Sequence, residues 1–348
     1  MKVKLGDLTK IRTGKLDANA SSPNGKYPFF TCSKEPLRIN SHSYDCECVL
    51  VAGNGDLNVK YYNGKFDAYQ RTYIIEDNGS NQLYMPYLYY FMEGYVEELR
   101  KLSIGGVIKY IKLGNLTEAL IELPKIEDQR TIVDILNKSK RILSYHQQQL
   151  QKLDELVKAR FVELFGDTVL NPFGWEKALL STVCDVRDGT HDSPSYYETG
   201  YPLVTSKNVS SGKINLTDCS LICESDFKKI NERSKVDTGD IIMPMIGTIG
   251  KPVIVDIEPN FAIKNVALIK FKDSSRVLNA YVRALLMSDY FEDAVLSKVR
   301  GGTQKFISLG DIRKLCVLVP PMEKQEQFVM FVNQVDKSKL LQFFCFPI

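Results

Sequence analysis

Apolar residues follow two rhythms along this chain. Short apolar or alternating runs recur as CVLVAG (48–53), TYIIE (72–76), ALIELP (119–124), IIMPMI (241–246), VALIKF (266–271) and CVLVPP (316–321). Each is bounded by Gly, Asn, Asp or Pro, residues that end strands and make turns, so the pattern predicts strands. Helical spacing replaces it over PYLYYFMEGYVEELRKL (86–102) and NAYVRALLMSDYFEDAVL (279–296). Strand and helix do not alternate regularly enough for a doubly wound parallel sheet, and the expected class is α+β.

Between these regions lies a different pattern. No Pro or Gly occurs from Glu127 to Phe165, and Leu136, Leu143, Leu150, Val157 and Leu164 fall at seven-residue spacing. Ile135, Ile142 and Leu156 lie on the neighbouring row. Such a seam predicts a coiled-coil helix of about forty residues, roughly 60 Å long at 1.5 Å per residue. Gly166 ends it, and Asn171–Pro172–Phe173–Gly174 forms a turn. A second helix is expected from PMEKQEQFVMFVNQVDKSKLLQ (321–342), with Phe328, Phe331, Val332 and Val335 on one face. It has about half the length of the first. The FFCFPI that follows has no heptad and contains a helix-stopping proline, as a shifted reading frame or premature stop would produce. The expectation is that the Leu150–Leu164 stretch of the seam stands uncovered and drives self-association or partner binding.

The chain also repeats itself. Residues 105–129 align with 301–325 without a gap, and the two glycines, Lys, Ile, Leu–Gly, Pro, Glu and Gln are identical. LGDLTKIRTG (5–14) pairs with LSTVCDVRDG (180–189), and YPFFT (27–31) with YPLVT (201–205). A period this long marks a duplicated domain, too long for a solenoid unit. The expected organisation is a module over 1–125, a helix over 126–166, a second module over 167–320 and a shorter helix over 321–348.

This order, with GGTQKFISLGDI and VPPMEKQEQFV in the second copy, QRTIVDILNKSKRI in the first and NPFGWEK at 171–177, resembles the specificity subunit of type I DNA restriction–modification systems. The resemblance covers nearly the whole chain except its last six to ten residues. It implies two mixed-β target recognition domains that each read half of a split sequence in double-stranded DNA. It also implies long antiparallel helices that act as a ruler and dock DNA adenine methyltransferase subunits and a restriction–translocase subunit. Chemistry would then reside in the partners, with S-adenosylmethionine, ATP and Mg held there and no cofactor or metal on this chain.

Composition fits that reading without demanding it. The net charge is +3, far from the strongly basic balance of a non-specific nucleic-acid binder. No apolar run reaches the ~20 residues that span a bilayer, and the start carries no apolar leader, so a cytoplasmic protein without membrane contact is expected. The eight cysteines show no zinc spacing. Gly247–Thr248–Ile249–Gly250–Lys251 lacks the spacing of a phosphate loop, and His42, His146 and His191 lack neighbours at ligand spacing. No catalytic site is expected.

Base reading calls for Arg, Lys, Asn or Gln at groove edges, and phosphate contact for Lys, Arg, Thr and glycine-rich turns. The residues of those types are Asn54, Gln70, Arg71 and Lys109 in the first module. In the second they are Lys207, Asn208, Thr248, Lys251, Lys264, Thr303, Gln304 and Lys305. Solvated loop is the plain alternative for each. A duplicated protein–protein adaptor without a DNA role, or a silent truncated specificity subunit, would share the organisation. A steep fall of duplex binding with salt would separate DNA reading from the adaptor.

Overall fold

The computed structural model describes residues 1–209, 212–245, 252–272, 274–294 and 307–345. Two compact units emerge, Met1–Tyr145 and His146–Ile348. Thr248, Lys251, Thr303, Gln304 and Lys305 lie outside the described residues.

The first unit contains β1 (Lys2–Lys4), α1 (Leu5–Leu8), β2 (Thr9–Thr13), β3 (Tyr27–Phe30), β4 (Leu37–Ile39), β5 (Tyr44–Ala52), β6 (Val59–Ala68) and β7 (Thr72–Asp77). These are followed by α2 (Met85–Leu102), α3 (Leu113–Thr117), β8 (Leu120–Glu122) and the start of α4 (Ile126–Phe165). Six strands form one sheet in the order β2-β7-β5-β6-β3-β4, parallel only between β3 and β6, and β1 pairs with β8 in a separate ribbon. Val49, Val51 and Ile75 face α2 residues Leu88, Met92 and Leu99, while Cys48, Leu50 and Ile74 pack on the opposite face with Phe30 and Phe66. Because side chains alternate across a strand, covering both faces requires apolar residues at every position. That is why CVLVAG is a continuous run.

The second unit takes up the rest of α4, then β9 (Glu176–Leu179), α5 (Leu180–Val183), β10 (Asp185–Asp188), β11 (Tyr201–Val204), β12 (Ser220–Ile222), α6 (Glu224–Ser234) and β13 (Ile241–Pro244). It continues with β14 (Val253–Ile254), β15 (Ala262–Ile263), β16 (Val266–Lys270), α7 (Asn279–Leu286), α8 (Asp289–Ala294), α9 (Leu309–Arg313), β17 (Cys316–Val319) and α10 (Met322–Cys345). Its sheets run β10-β16-β13-β14 and β12-β11-β15, with β11 and β15 parallel, and β17 pairs with β9. This is the first unit's strand order with β6 replaced by two short strands. The intervening stretch contains Pro259, which cannot donate to a ladder. The duplication therefore extends to topology. Helix α6, in the connection between β12 and β13, has no counterpart in the short link from β4 to β5. The predicted helix 279–296 divides into α7 and α8, as Met287 and Ser288 turn back onto Arg283, Ala284 and Leu285.

One glutamine in each copy ties helix to module. Gln129 is fully buried; its Oε1 accepts from Tyr84 N at 2.8 Å, and its Nε2 donates to Gln82 O at 2.8 Å and Pro124 O at 2.9 Å. Gln325, also fully buried, accepts from Leu278 N at 2.8 Å and donates to Arg276 O at 3.0 Å and Pro320 O at 2.9 Å. These bonds satisfy backbone groups that burial would otherwise leave unpaired. Tyr87 and Tyr281 repeat the theme, donating to Glu122 O and Leu318 O.

The seam behaves differently from its expectation. Within the second unit, α10 runs antiparallel to the end of α4: Phe328 packs on Phe161 and Phe165, Arg160 lies over Phe331, and Lys339 pairs with Asp154 at 2.6 Å. Phe161 and Leu164 are buried, and Leu150 and Val157 are half-buried. Leu136 at 36% and Leu143 at 45% exposure, with Ile135 and Ile142, are the open positions instead. The expected uncovered stripe at Leu150–Leu164 is thus corrected to the first half of α4. Within the second unit the beginning of α10 lies against the end of α4, which is why Phe161 and Leu164 are covered. In the first unit α4 is held to α2 on another side, by Tyr90 Oη to Asn137 Oδ1 at 2.6 Å and Lys140 Nζ to Glu93 at 2.7 Å.

Candidate nucleic-acid interface

In the first module the strand ends converge on Gly53. Its N–H donates to Arg71 O at 2.8 Å, and its carbonyl accepts from Ile111 N at 2.9 Å. Gly55 N donates to Lys109 O at 3.0 Å, Asn54 bridges to Tyr110, and Gln70 N donates to Leu16 O at 2.9 Å. The approach is close: a Cβ on Gly53 would stand 2.3 Å from Arg71 O, and one on Gly14 2.2 Å from Ala68 O. Only glycine fits these places. The result is a cleft of 530 Å³ lined by Lys15, Gln70 and Arg71, with Thr13, Tyr73 and Ile111. Asn54, Gln70, Arg71 and Lys109 are thereby gathered at one end of the sheet, and Gln70, Arg71 and Lys109 are exposed. Sequence reasoning overlooked Lys15. Val107, which stands where the second copy has Thr303, is wholly exposed beside Lys109.

The second module has a cleft of 400 Å³ after the matching strand, β10, lined by Thr190, His191, Ser193, Lys229 and Arg233. Gly189 repeats Gly14, since its Cβ would lie 2.6 Å from Ile263 O. Lys264 bridges in parallel to Thr190, and its Nζ donates to Ser193 Oγ at 2.8 Å. Lys207 is exposed. Asn208, in contrast, is buried, and its Oδ1 accepts from both Thr205 N and Thr205 Oγ1 at 2.9 Å, shaping the turn at 206–209.

His191, which seemed partnerless in sequence, meets oxygens at both ring nitrogens. Nδ1 lies 2.8 Å from Asn265 Oδ1, and Nε2 lies 3.0 Å from Asp188 Oδ2. The bond to Asn265 and then that to Asp188 push its pKa up, against the opposing cost of desolvation. Asp188 is only 8% exposed and also accepts from Arg233 Nη2. Asn265 adopts φ 56°, a left-handed conformation that Asn tolerates better than most residues. Cys48 and Cys184 are buried thiols whose pKa desolvation drives upward, which fits packing and not reactivity. Among the described residues no group of three or more His, Cys, Asp or Glu could hold a metal ion, and no helix is long and apolar enough to cross a membrane.

A duplicated α+β module with basic and polar clefts at equivalent strand ends defines the class, and comparison with known proteins gives the family. The model of the type I restriction modification DNA specificity domain matches residues 1–155 and 172–342. The chain belongs to that family. It is 38% identical over 156 residues to the specificity subunit of the type I restriction enzyme EcoDI of Escherichia coli, a match covering 45% of this chain and only 34% of that relative. With the MjaVIII specificity subunit of Methanocaldococcus jannaschii it shares 24% identity, covering 96% of this chain and 85% of the relative. A crystal structure of the type I restriction–modification S subunit from M. genitalium superposes with a TM-score of 0.62 at 16% identity, covering 97% of this chain and 90% of that one.

Proposed function

We propose that this chain reads a split sequence in duplex DNA, one half with each module, and serves as the non-catalytic scaffold of a type I restriction–modification complex. The observation that carries the reading is the gathering of polar and basic side chains beyond equivalent strands of both copies: Lys15, Gln70 and Arg71 in one, and Thr190 and Lys264 in the other, where Arg233 joins them from α6. Such side chains suit phosphate and base-edge contacts. Family membership supports the same assignment. The exposed Ile135–Leu143 face of α4 suits docking by methyltransferase subunits, with S-adenosylmethionine, ATP and Mg bound by partner subunits.

The test is co-expression with a type I methyltransferase subunit, followed by mapping of methylated adenines. A bipartite motif with a fixed spacer is expected, and substitution of Gln70 should relax one half of it. Duplex affinity that does not fall with salt would instead favour the protein–protein adaptor.

A further inference from the structure

The two clefts differ in one chemical respect. At a sequence offset of 175, Asp188, Thr190 and His191 of the second module correspond to Thr13, Lys15 and Leu16 of the first, and the strand registers put Asn265 in the place of Arg71, immediately before the matching strand. The first cleft therefore carries permanent cations, Lys15 and Arg71, whereas the second holds an imidazole over a nearly buried carboxylate.

The charges facing His191 can be enumerated by element. Strand β10 supplies Asp188, while the adjacent Arg187 is paired with Asp185 at 2.6 Å and donates to Arg233 O. The following loop supplies Asp192, helix α6 supplies Asp226, Lys229 and Arg233, and the turn before β16 supplies Lys264 and Asn265. Lys229, Arg233 and Lys264 stand against Asp188, Asp192 and Asp226. These charges balance until His191 is protonated, and the cleft then becomes cationic. With oxygens at both ring nitrogens, the doubly protonated imidazolium satisfies both contacts at once.

We infer that the second module's cleft takes a DNA backbone phosphate through a proton-linked contact, in which duplex binding draws a proton onto His191 while binding at the first module does not. This rests on the DNA-reading function proposed above. Linkage makes the effect reciprocal: a phosphate beside the imidazolium favours its proton, and the proton favours the phosphate. A histidine is suited to the role because its charge changes near physiological pH.

The test is fluorescence anisotropy of the full chain with a fluorescein-labelled duplex of random sequence, at fixed ionic strength, between about pH 6 and pH 8. The wild-type dissociation constant should fall at the acidic end by roughly tenfold, the change expected for uptake of about one proton across a unit of pH. His191→Gln should lose the acidic gain and give a flat pH profile. His191→Lys, permanently charged, should bind tightly across the range. A pH response retained by His191→Gln, or a flat wild-type profile, overturns the inference while leaving DNA reading intact. Absence of salt-sensitive duplex binding at any pH overturns the proposed function and this inference with it.

Discussion

Replacing Gln129 with Leu asks how much of the first unit's stability depends on one buried amide. The side chain is fully buried and makes three hydrogen bonds, all to backbone groups. Leu is similar in size, so little cavity forms, but Tyr84 N–H, Gln82 O and Pro124 O lose their partner. A buried polar group left unpaired costs about 1–3 kcal/mol, with carbonyls at the lower end because they keep a second lone pair. Some relaxation towards water follows, and a loss of about 3 kcal/mol is expected. For a unit of this size that corresponds to a fall in Tm of roughly 6–12 °C. Differential scanning calorimetry measures it, and faster amide exchange at Tyr84 would localise it. Gln325→Leu should act equally on the second unit. A fall of less than about 2 °C, with Tyr84 still protected, would refute the view that this amide pins helix to module.

Along the helical seam, Leu164→Lys should cost on the order of 4 kcal/mol by placing a charge among Phe161, Phe165 and Phe328, whereas Leu143→Lys in the isolated chain should stay within about 0.5 kcal/mol. Equal effects in chemical denaturation would contradict the assigned cover. Gly14→Ala forces a Cβ against the Ala68 carbonyl, so the loops around the first cleft must shift; a loss of about 1–3 kcal/mol is expected, and an unchanged melting curve would disprove the close approach. Arg71→Ala should weaken binding to all duplexes and lower the salt slope by about one unit, as loss of one phosphate contact does. Gln70→Ala should cost about 1–3 kcal/mol at a single base position and relax methylation in one half-site; unaltered motifs would remove it from base reading.

Local periodicity determined much of this protein. The heptad from Leu136 to Leu164, free of Pro and Gly, needs no tertiary partner to declare a long helix, and α4 is continuous from Ile126 to Phe165. Runs such as CVLVAG and VALIKF declare strands, and the repeat announced a duplication that extends to strand order. Asn54, Gln70, Arg71 and Lys109 were legible as polar residues of turns between strands, and backbone bonds gather those turns at one end of the sheet. What periodicity cannot express is direction and distance. A heptad seam says that a helix has a partner, but only the antiparallel packing of α10 within the second unit decides that Leu164 is covered. Pro259 is visible in the chain, yet its division of one long strand into two appears only when the pairing is known. Asn208 and Lys207 look alike as loop polar residues, and the turn places one inward and the other outward. His191 and Asn265 are 74 positions apart, and a parallel bridge between Thr190 and Lys264 sets the imidazole between Asn265 and Asp188. Long-range pairing creates such neighbours because each contact depends on the register of two strands, and register is a property of the folded sheet.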